Sequence, residues 1–219
     1  MPPHRIGIMG GTFDPIHFGH LRAAEQARLC FDLDKVVFVT SARPPHKAAG
    51  FTSQRLAQAG KPGGPIAHAE ARHEMVALAV ASNPHFEASR IELDRPGPSY
   101  TVDTIAALRE TLPADTQPFF ITGADAVLEI LTWKDPHHLV QQCELIAVAR
   151  PGYDLSKLQS SLDGELLKHV HPLEVEGVDI SSTEVRRRVR QGLPINHLTP
   201  TSVADYILGR GLYRPDPCR

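Results

Sequence analysis

The sequence predicts an α/β protein: a doubly wound, mainly parallel sheet followed by a C-terminal helical portion. Two observations carry this reading. Short apolar or β-branched runs alternate with helical segments of about ten residues, which implies βαβ units with right-handed crossovers. The residues suited to chemistry stand just after those runs, and in such sheets ligands bind beyond the carboxyl ends of the strands. The length of 219 residues fits one domain over 1–219, since domains usually hold about 100–200 residues.

Arg5–Met9 reads as a buried strand and Gly19–Phe31 as a helix, with apolar or small residues recurring at Leu21, Ala24, Ala27 and Leu29. Lys35–Thr40, rich in β-branched residues, is the next strand. A Pro- and Gly-containing loop runs from Ser41 to His68, and a helix over Ala69–Ser82 is closed by Asn83-Pro84. His85–Leu93 is a third strand, Tyr100–Thr111 a helix, Gln117–Thr122 a fourth strand and Ala124–Leu131 a short helix. Glu144–Ala149 is a fifth strand, ended by Arg150-Pro151-Gly152. A weaker strand near His169–Val175 precedes helices at Ser182–Gln191 and Thr201–Leu208.

With 42% apolar and 22% charged residues, the composition excludes general disorder. No apolar run approaches the roughly 18 residues needed to span a bilayer, and Ile6–Met9 is too brief an apolar core for a secretory signal. We expect a cytoplasmic protein that does not cross a membrane. Cys30, Cys143 and Cys218 show no CxxC pairing, so neither a disulfide framework nor a thiolate zinc site is indicated. The net charge of −2 offers no argument for a nucleic-acid polymer. Local charge is more informative: 35–69 holds no Asp or Glu, and Arg186-Arg187-Arg188-Val189-Arg190 is a second basic concentration. These read either as solvated surface or as two arms around a small polyanion.

The first turn is Gly10-Gly11-Thr12-Phe13-Asp14-Pro15-Ile16-His17-Phe18-Gly19-His20. Adjacent glycines let a backbone pass close to a ligand. His17 and His20 stand three apart at a helix start, a place suited to phosphate; local hydrogen bonding, or a metal site completed by Asp14, is the alternative use of such a pair. No P-loop, GxGxxG or GxSxG pattern is present at the corresponding turns. The second half of a phosphate cradle is Ile180-Ser181-Ser182-Thr183-Glu184-Val185-Arg186. Ser181 and Glu184 have capping-box spacing, leaving the Ser182 and Thr183 amides at the helix mouth. Arg186 in the first turn opposes the helix dipole unless an anion binds beside it. Arg187, Arg188 and Arg190 are expected to be solvated. His68, His73, His137, His138, His169 and His171 read as surface residues without acidic partners, and no metal ligands are assigned.

GGTFDPIHFGHL together with ISSTEVR resembles the bacterial nicotinate-nucleotide adenylyltransferase family of the HxGH nucleotidylyltransferase superfamily. Pro44-Pro45-His46-Lys47, Ser99-Tyr100-Thr101-Val102-Asp103-Thr104, Gly123-Ala124-Asp125, Trp133 and Arg150-Pro151-Gly152 extend the resemblance over residues 5 to about 210. Segment 48–68 is longer than the family pattern and reads as a flap or insertion. The resemblance implies a Rossmann-like fold of nucleotidylyltransferase type and transfer of the adenylyl group of ATP to nicotinate mononucleotide, releasing pyrophosphate. It implies that His17, His20 and Arg186 are catalytic and that Gly10, Gly11, Thr12, Gly123, Asp125, Ser181 and Ser182 bind ATP. His46, Lys47, Thr101 and Trp133 would bind nicotinate mononucleotide, Trp133 by stacking, although a lone Trp after a helix also suits a core. Mg²⁺ would be bound mainly through ATP phosphates. A phosphate monoester with second pKa near 6 is mostly dianionic at neutral pH, so positioning and charge stabilisation are required and a general base is not. The other readings are a pantetheine-phosphate adenylyltransferase, which the SYT and Trp133 segments disfavour, a silent nucleotide sensor, and a tRNA-charging enzyme lacking a KMSKS-like segment.

Overall fold

A computed structural model describes residues 4–43, 67–150, 152–154, 156–176 and 180–214. Six parallel strands form the sheet: β1 (Arg5–Gly11), β2 (Lys35–Thr40), β3 (Phe86–Ser89), β4 (Gln117–Gly123), β5 (Glu144–Ala149) and β6 (Val170–Glu174). Their order is β3-β2-β1-β4-β5-β6, with every neighbouring pair parallel. The order reverses between β1 and β4. That switch point opens a crevice beyond their carboxyl ends, where Gly10, Gly11 and Gly123 lie.

The strands read as unbroken apolar runs because both sheet faces are covered. Alternate residues point to opposite sides: Met9, Phe38, Phe119, Ile121 and Ile146 enter one core, while Ile8, Val37, Val39, Phe120 and Leu145 enter the other. The first core is closed by α1 (Phe18–Cys30), α2 (Ala69–Val80), α9 (Ser182–Arg190) and α10 (Thr201–Gly209). Its α1 face is built from Ala23, Ala24 and Ala27, small residues that let the helix lie close to the sheet. The second core is closed by α4 (Thr101–Arg109), α5 (Ala124–Leu128), α6 (Pro136–Gln142), α7 (Ser156–Ser161) and α8 (Gly164–Leu167).

Three differences from the sequence reading have local causes. The strand expected over His85–Leu93 stops at Ser89, whose hydroxyl accepts the Ile91 N–H at 3.3 Å. Ile91–Asp94 is then a short helix, α3, and the Ile-Glu-Leu alternation that resembled a strand turns Glu92 inward. The helix expected over Ala124–Leu131 divides into α5 and a 3-10 turn, Ile130–Thr132. Helices α6, α7 and α8 were not anticipated. The α6 start nevertheless carries a local signal, since Asp135 caps the His138 amide at 3.3 Å and Pro136 occupies the first helical position. Among the described residues no helix is long and apolar enough to cross a membrane.

Candidate active site

Two clefts open at the switch point and meet along Gly10, Gly11 and Thr122, which line both. The first, of about 500 Å³, takes in His17, His20, Gly123, Asp125, Ser181 and Ser182. The second, of about 270 Å³, takes in Thr12, Thr101 and Trp133. The residues expected to hold ATP thus converge on the first cleft, except that Thr12 faces the second. His46 and Lys47 lie outside the described residues, as does most of segment 48–68.

His17 caps α1 and His20 sits on its first turn, so their rings stack with centroids 3.7 Å apart at 27°. The His17 amide donates to His20 Nδ1 at 3.3 Å. That bond fixes the His20 tautomer: Nδ1 is the acceptor, so Nε2 carries the proton. Burial, and then the Arg150 charge, lowers the His17 pKa to about 4. Burial, with His17 beside it, also holds His20 well below the ordinary imidazole value. Both rings are therefore neutral at pH 7 and act as N–H donors without carrying charge. The Phe13 ring meets His20 edge-on at 5.1 Å.

Gly10 and Gly11 serve the protein's own packing. A Cβ on Gly10 would come within 2.9 Å of the Phe120 ring, and one on Gly11 within 2.9 Å of the Phe13 ring. At Gly123 a Cβ would meet nothing within 4 Å, so there the missing side chain leaves open cleft.

Helix α9 delivers Ser181 and Ser182 to the first cleft. Ser181 is the N-cap and its hydroxyl accepts the Glu184 amide at 3.2 Å, leaving the Ser182 and Thr183 amides outside the intrahelical ladder. Only this half of the expected capping box is seen: the Glu184 carboxylate pairs with Arg187 at 2.6 and 2.7 Å. The Ser182 hydroxyl donates to Pro15 O at 2.9 Å. Arg186 stands behind the cleft, donating to Asp14 O and to Thr183 Oγ1. Arg188 was expected to be solvated, yet its Nε donates to Pro194 O at 2.8 Å.

The second cleft is hydroxylic and charged. Trp133 is partly buried, edge-on to Phe120 at 6.1 Å and 89°, and still lines the cleft. Beside it Thr104 donates to Glu92 at 2.6 Å while accepting from Arg95 at 3.0 Å. Lys134 pairs with Asp103 at 2.8 Å and lies 5.1 Å from the Tyr100 ring centroid.

Several lining residues with ionisable side chains are absent from the site residues that the sequence singles out. Arg150 and Tyr153 line the first cleft, and Glu92 and Lys134 the second. Arg150 had a usable signal, as the first residue after β5. Tyr153 lies beside Asp125, and burial together with that carboxylate pushes its phenol pKa up. The histidine reading also needs correction. Glu144 accepts from both His169 Nδ1 at 3.1 Å and His171 Nε2 at 2.8 Å, a pairing made possible because β5 and β6 are neighbours. His73 is buried, not superficial. Among the described residues no three His, Cys, Asp or Glu side chains are grouped to hold a metal ion.

Comparison with known proteins gives the family and the fold. A model of the cytidylyltransferase-like family matches residues 8–188. A probable nicotinate-nucleotide adenylyltransferase of Moorella thermoacetica is 51% identical over 216 residues, 97% of this chain and 93% of the relative. One from Thermus thermophilus is 50% identical over 210 residues, 96% of this chain and 100% of the relative. The fold matches that of Plasmodium falciparum nicotinic acid mononucleotide adenylyltransferase, solved in complex with NaAD, with a TM-score of 0.69 at 19% identity, covering 96% of this chain and 97% of that one.

Proposed function

We propose a reaction from one premise: this chain belongs to the cytidylyltransferase-like family and, within it, to the nicotinate-nucleotide adenylyltransferases. It transfers the adenylyl group of ATP to nicotinate mononucleotide, giving deamido-NAD and pyrophosphate. The observation that carries this reading is the pair of clefts joined at Gly10 and Gly11 beside two stacked, neutral histidines. ATP occupies the first cleft and the acceptor the second, so the acceptor phosphate and the α-phosphorus meet at the junction.

In the transfer an acceptor phosphate oxygen forms a bond to the α-phosphorus as the bond to the β-phosphate oxygen breaks. The acceptor dianion needs no general base. His20 donates its Nε2–H to the α-phosphoryl oxygens and His17 donates beside it. Thr12, next to the shared glycines, meets the phosphates from the acceptor side. Asp125 accepts from the adenosine ribose, and Gly123 leaves the space for it. Ser181 and Ser182 bring the α9 amides to the phosphates, and Arg186 stabilises the departing pyrophosphate. Trp133 stacks on the pyridine ring, with Thr101, His46 and Lys47 completing that site.

Mg²⁺ enters with ATP as part of the substrate. Imidazole, hydroxyl and guanidinium groups dominate the polar side chains of the first cleft, a set suited to anions, and Asp125 is its lining carboxylate. The whole chain acts as one domain, because α9 closes a cleft that β1 opens. A cytoplasmic setting goes with the free thiols of Cys30 and Cys143.

The test is a chromatographic assay with MgATP and, separately, nicotinate mononucleotide, nicotinamide mononucleotide and phosphopantetheine. Dinucleotide formed preferentially from nicotinate mononucleotide, one pyrophosphate per product, is the expected result. ATP binding without turnover of any acceptor leaves the nucleotide sensor as the better account.

A further inference from the structure

We infer that Tyr213 is a positioning residue of the transfer, acting through Asp14 on Arg186 and on the loop that carries His17 and His20. The inference rests on the adenylyl-transfer reading given above. The loop from Asp14 to Phe18 has no sheet ladder to satisfy its main chain, and buried backbone groups must find partners elsewhere. All the following come from the C-terminal part of the chain. Asp14 O accepts from Arg186, Pro15 O from the Ser182 hydroxyl at 2.9 Å and Ile16 O from the Thr199 hydroxyl at 2.8 Å. The Phe18 amide donates to Leu198 O at 2.9 Å. The histidine loop is therefore shaped by residues brought back to it by folding.

Asp14 is the hub. Its side chain is almost wholly buried, 4% of the residue being exposed. Oδ1 accepts from the Tyr213 hydroxyl at 2.7 Å and from the Ala67 amide at 3.1 Å, while Oδ2 lies 3.8 Å from Arg186 Nη1. Tyr213 is only 3% exposed and holds a left-handed φ of 64°, a conformation that bulky side chains rarely adopt. Its hydroxyl nonetheless ends on the carboxylate. Burial and the Asp14 charge push the phenol pKa up, so it remains a donor across the working pH range.

The distances give this contact a consequence for anion binding. Asp14 is shared, with the phenol and an amide close to one oxygen and the guanidinium farther from the other. Arg186 is thus anchored by its bond to the Asp14 carbonyl without a close ion pair to the carboxylate, and its charge stays available to an incoming anion. Removing the phenol lets the carboxylate turn onto Arg186, forming a tighter pair that competes with pyrophosphate.

The experiment compares wild type, Tyr213→Phe, Arg186→Ala and the double variant, at temperatures well below each measured unfolding midpoint. Tyr213→Phe should lower kcat roughly tenfold, the scale of one hydrogen bond to a charged group, with both KM values within about twofold. Calorimetry with inorganic pyrophosphate should show weaker binding to Tyr213→Phe. In the Arg186→Ala background Tyr213→Phe should have no further effect on either readout. Additive losses, or unchanged pyrophosphate affinity, would make Tyr213 a merely structural residue and overturn the inference. If Tyr213→Phe unfolds too early, Asp14→Asn tests the same contact with the opposite sign: with no carboxylate to turn onto Arg186, its pyrophosphate affinity should not fall below that of wild type, and a fall would overturn the inference. Should the wild type form no dinucleotide, the reaction assignment fails while the pyrophosphate measurement still decides the role of Tyr213.

Discussion

The two clefts share Gly10, Gly11 and Thr122 yet are braced over different lengths of chain. In the second, the contacts among Glu92, Arg95, Asp103, Thr104 and Lys134 join residues no more than 31 apart. In the first, the side-chain bonds that the C-terminal part makes to the histidine loop span 167 to 199 residues. The polar contacts beside Trp133 are thus local, while the lining of the second cleft draws on residues from Gly10 to Lys134. The phosphate side exists only once α9, α10 and the segment through Tyr213 have docked, so changes near the C-terminus should damage one cleft and spare the other.

The largest effect should come from the residue that joins the two. Arg72 is 3% exposed and its guanidinium donates to Ala67 O, Thr12 O and Ser41 O at 2.6–3.0 Å, beside the Asp14 charge. Arg72→Met leaves three carbonyls without their donor and takes a cation from beside the Asp14 carboxylate, and should cost about 3–5 kcal/mol in urea denaturation. Because Thr12 and Ser41 line the second cleft and Asp14 shapes the first, both KM values should rise together. His20→Ala should act on the first cleft alone, lowering kcat about 10²–10³-fold as for loss of a donor to a developing charge. Steady-state kinetics should show the KM of nicotinate mononucleotide unchanged.

A pH series separates folding from chemistry. His17 titrates near 6.5 in the unfolded chain and at about 4 in the folded one, so between these values the unfolded state holds the extra proton. Its contribution is fully present above pH 6.5 and is lost as pH falls toward 4, about 3 kcal/mol in all. Denaturation midpoints should fall at least that steeply, because burial holds His20 and His73 low as well, and His17→Gln should remove the His17 share of the slope.

Two smaller changes sharpen the contrast from the other side. Thr104→Val removes the hydroxyl held by Glu92 and should cost about 1–3 kcal/mol, raising the KM of nicotinate mononucleotide and leaving that of ATP alone. Gly123→Ala adds a Cβ to open space, so thermal melts should match wild type while ATP binding weakens roughly tenfold, a change of about 1.4 kcal/mol.

The same contrast explains what could be read from the sequence. Strands β2 and β5 have the expected limits, because dense apolar runs bounded by turn residues leave little choice. Eight first-cleft residues, Gly10, Gly11, His17, His20, Gly123, Asp125, Ser181 and Ser182, are legible because they follow strand ends or start helices, and these positions are local facts. The role of the Ser182 hydroxyl and the anchoring of Arg186 could not be read, since their partners Pro15 and Asp14 lie in the first turn of the chain. Tyr213 gave no signal for the same reason. Helices α7 and α8 hold six and four residues, too few to display a helical period. The Glu144 pairing with His169 and His171 depends on which strands are neighbours, which alternation alone does not specify.

The central claim is that the two clefts place acceptor and ATP for direct displacement at the α-phosphorus. The most direct test is the stereochemistry of transfer from ATP bearing a chiral α-thiophosphate to nicotinate mononucleotide, read by phosphorus NMR of the dinucleotide. Inversion at phosphorus is the predicted result, since one in-line step joins the two substrates. Retention would require a covalent adenylyl-enzyme, with His17 or His20 as nucleophile rather than donor, and would contradict the account.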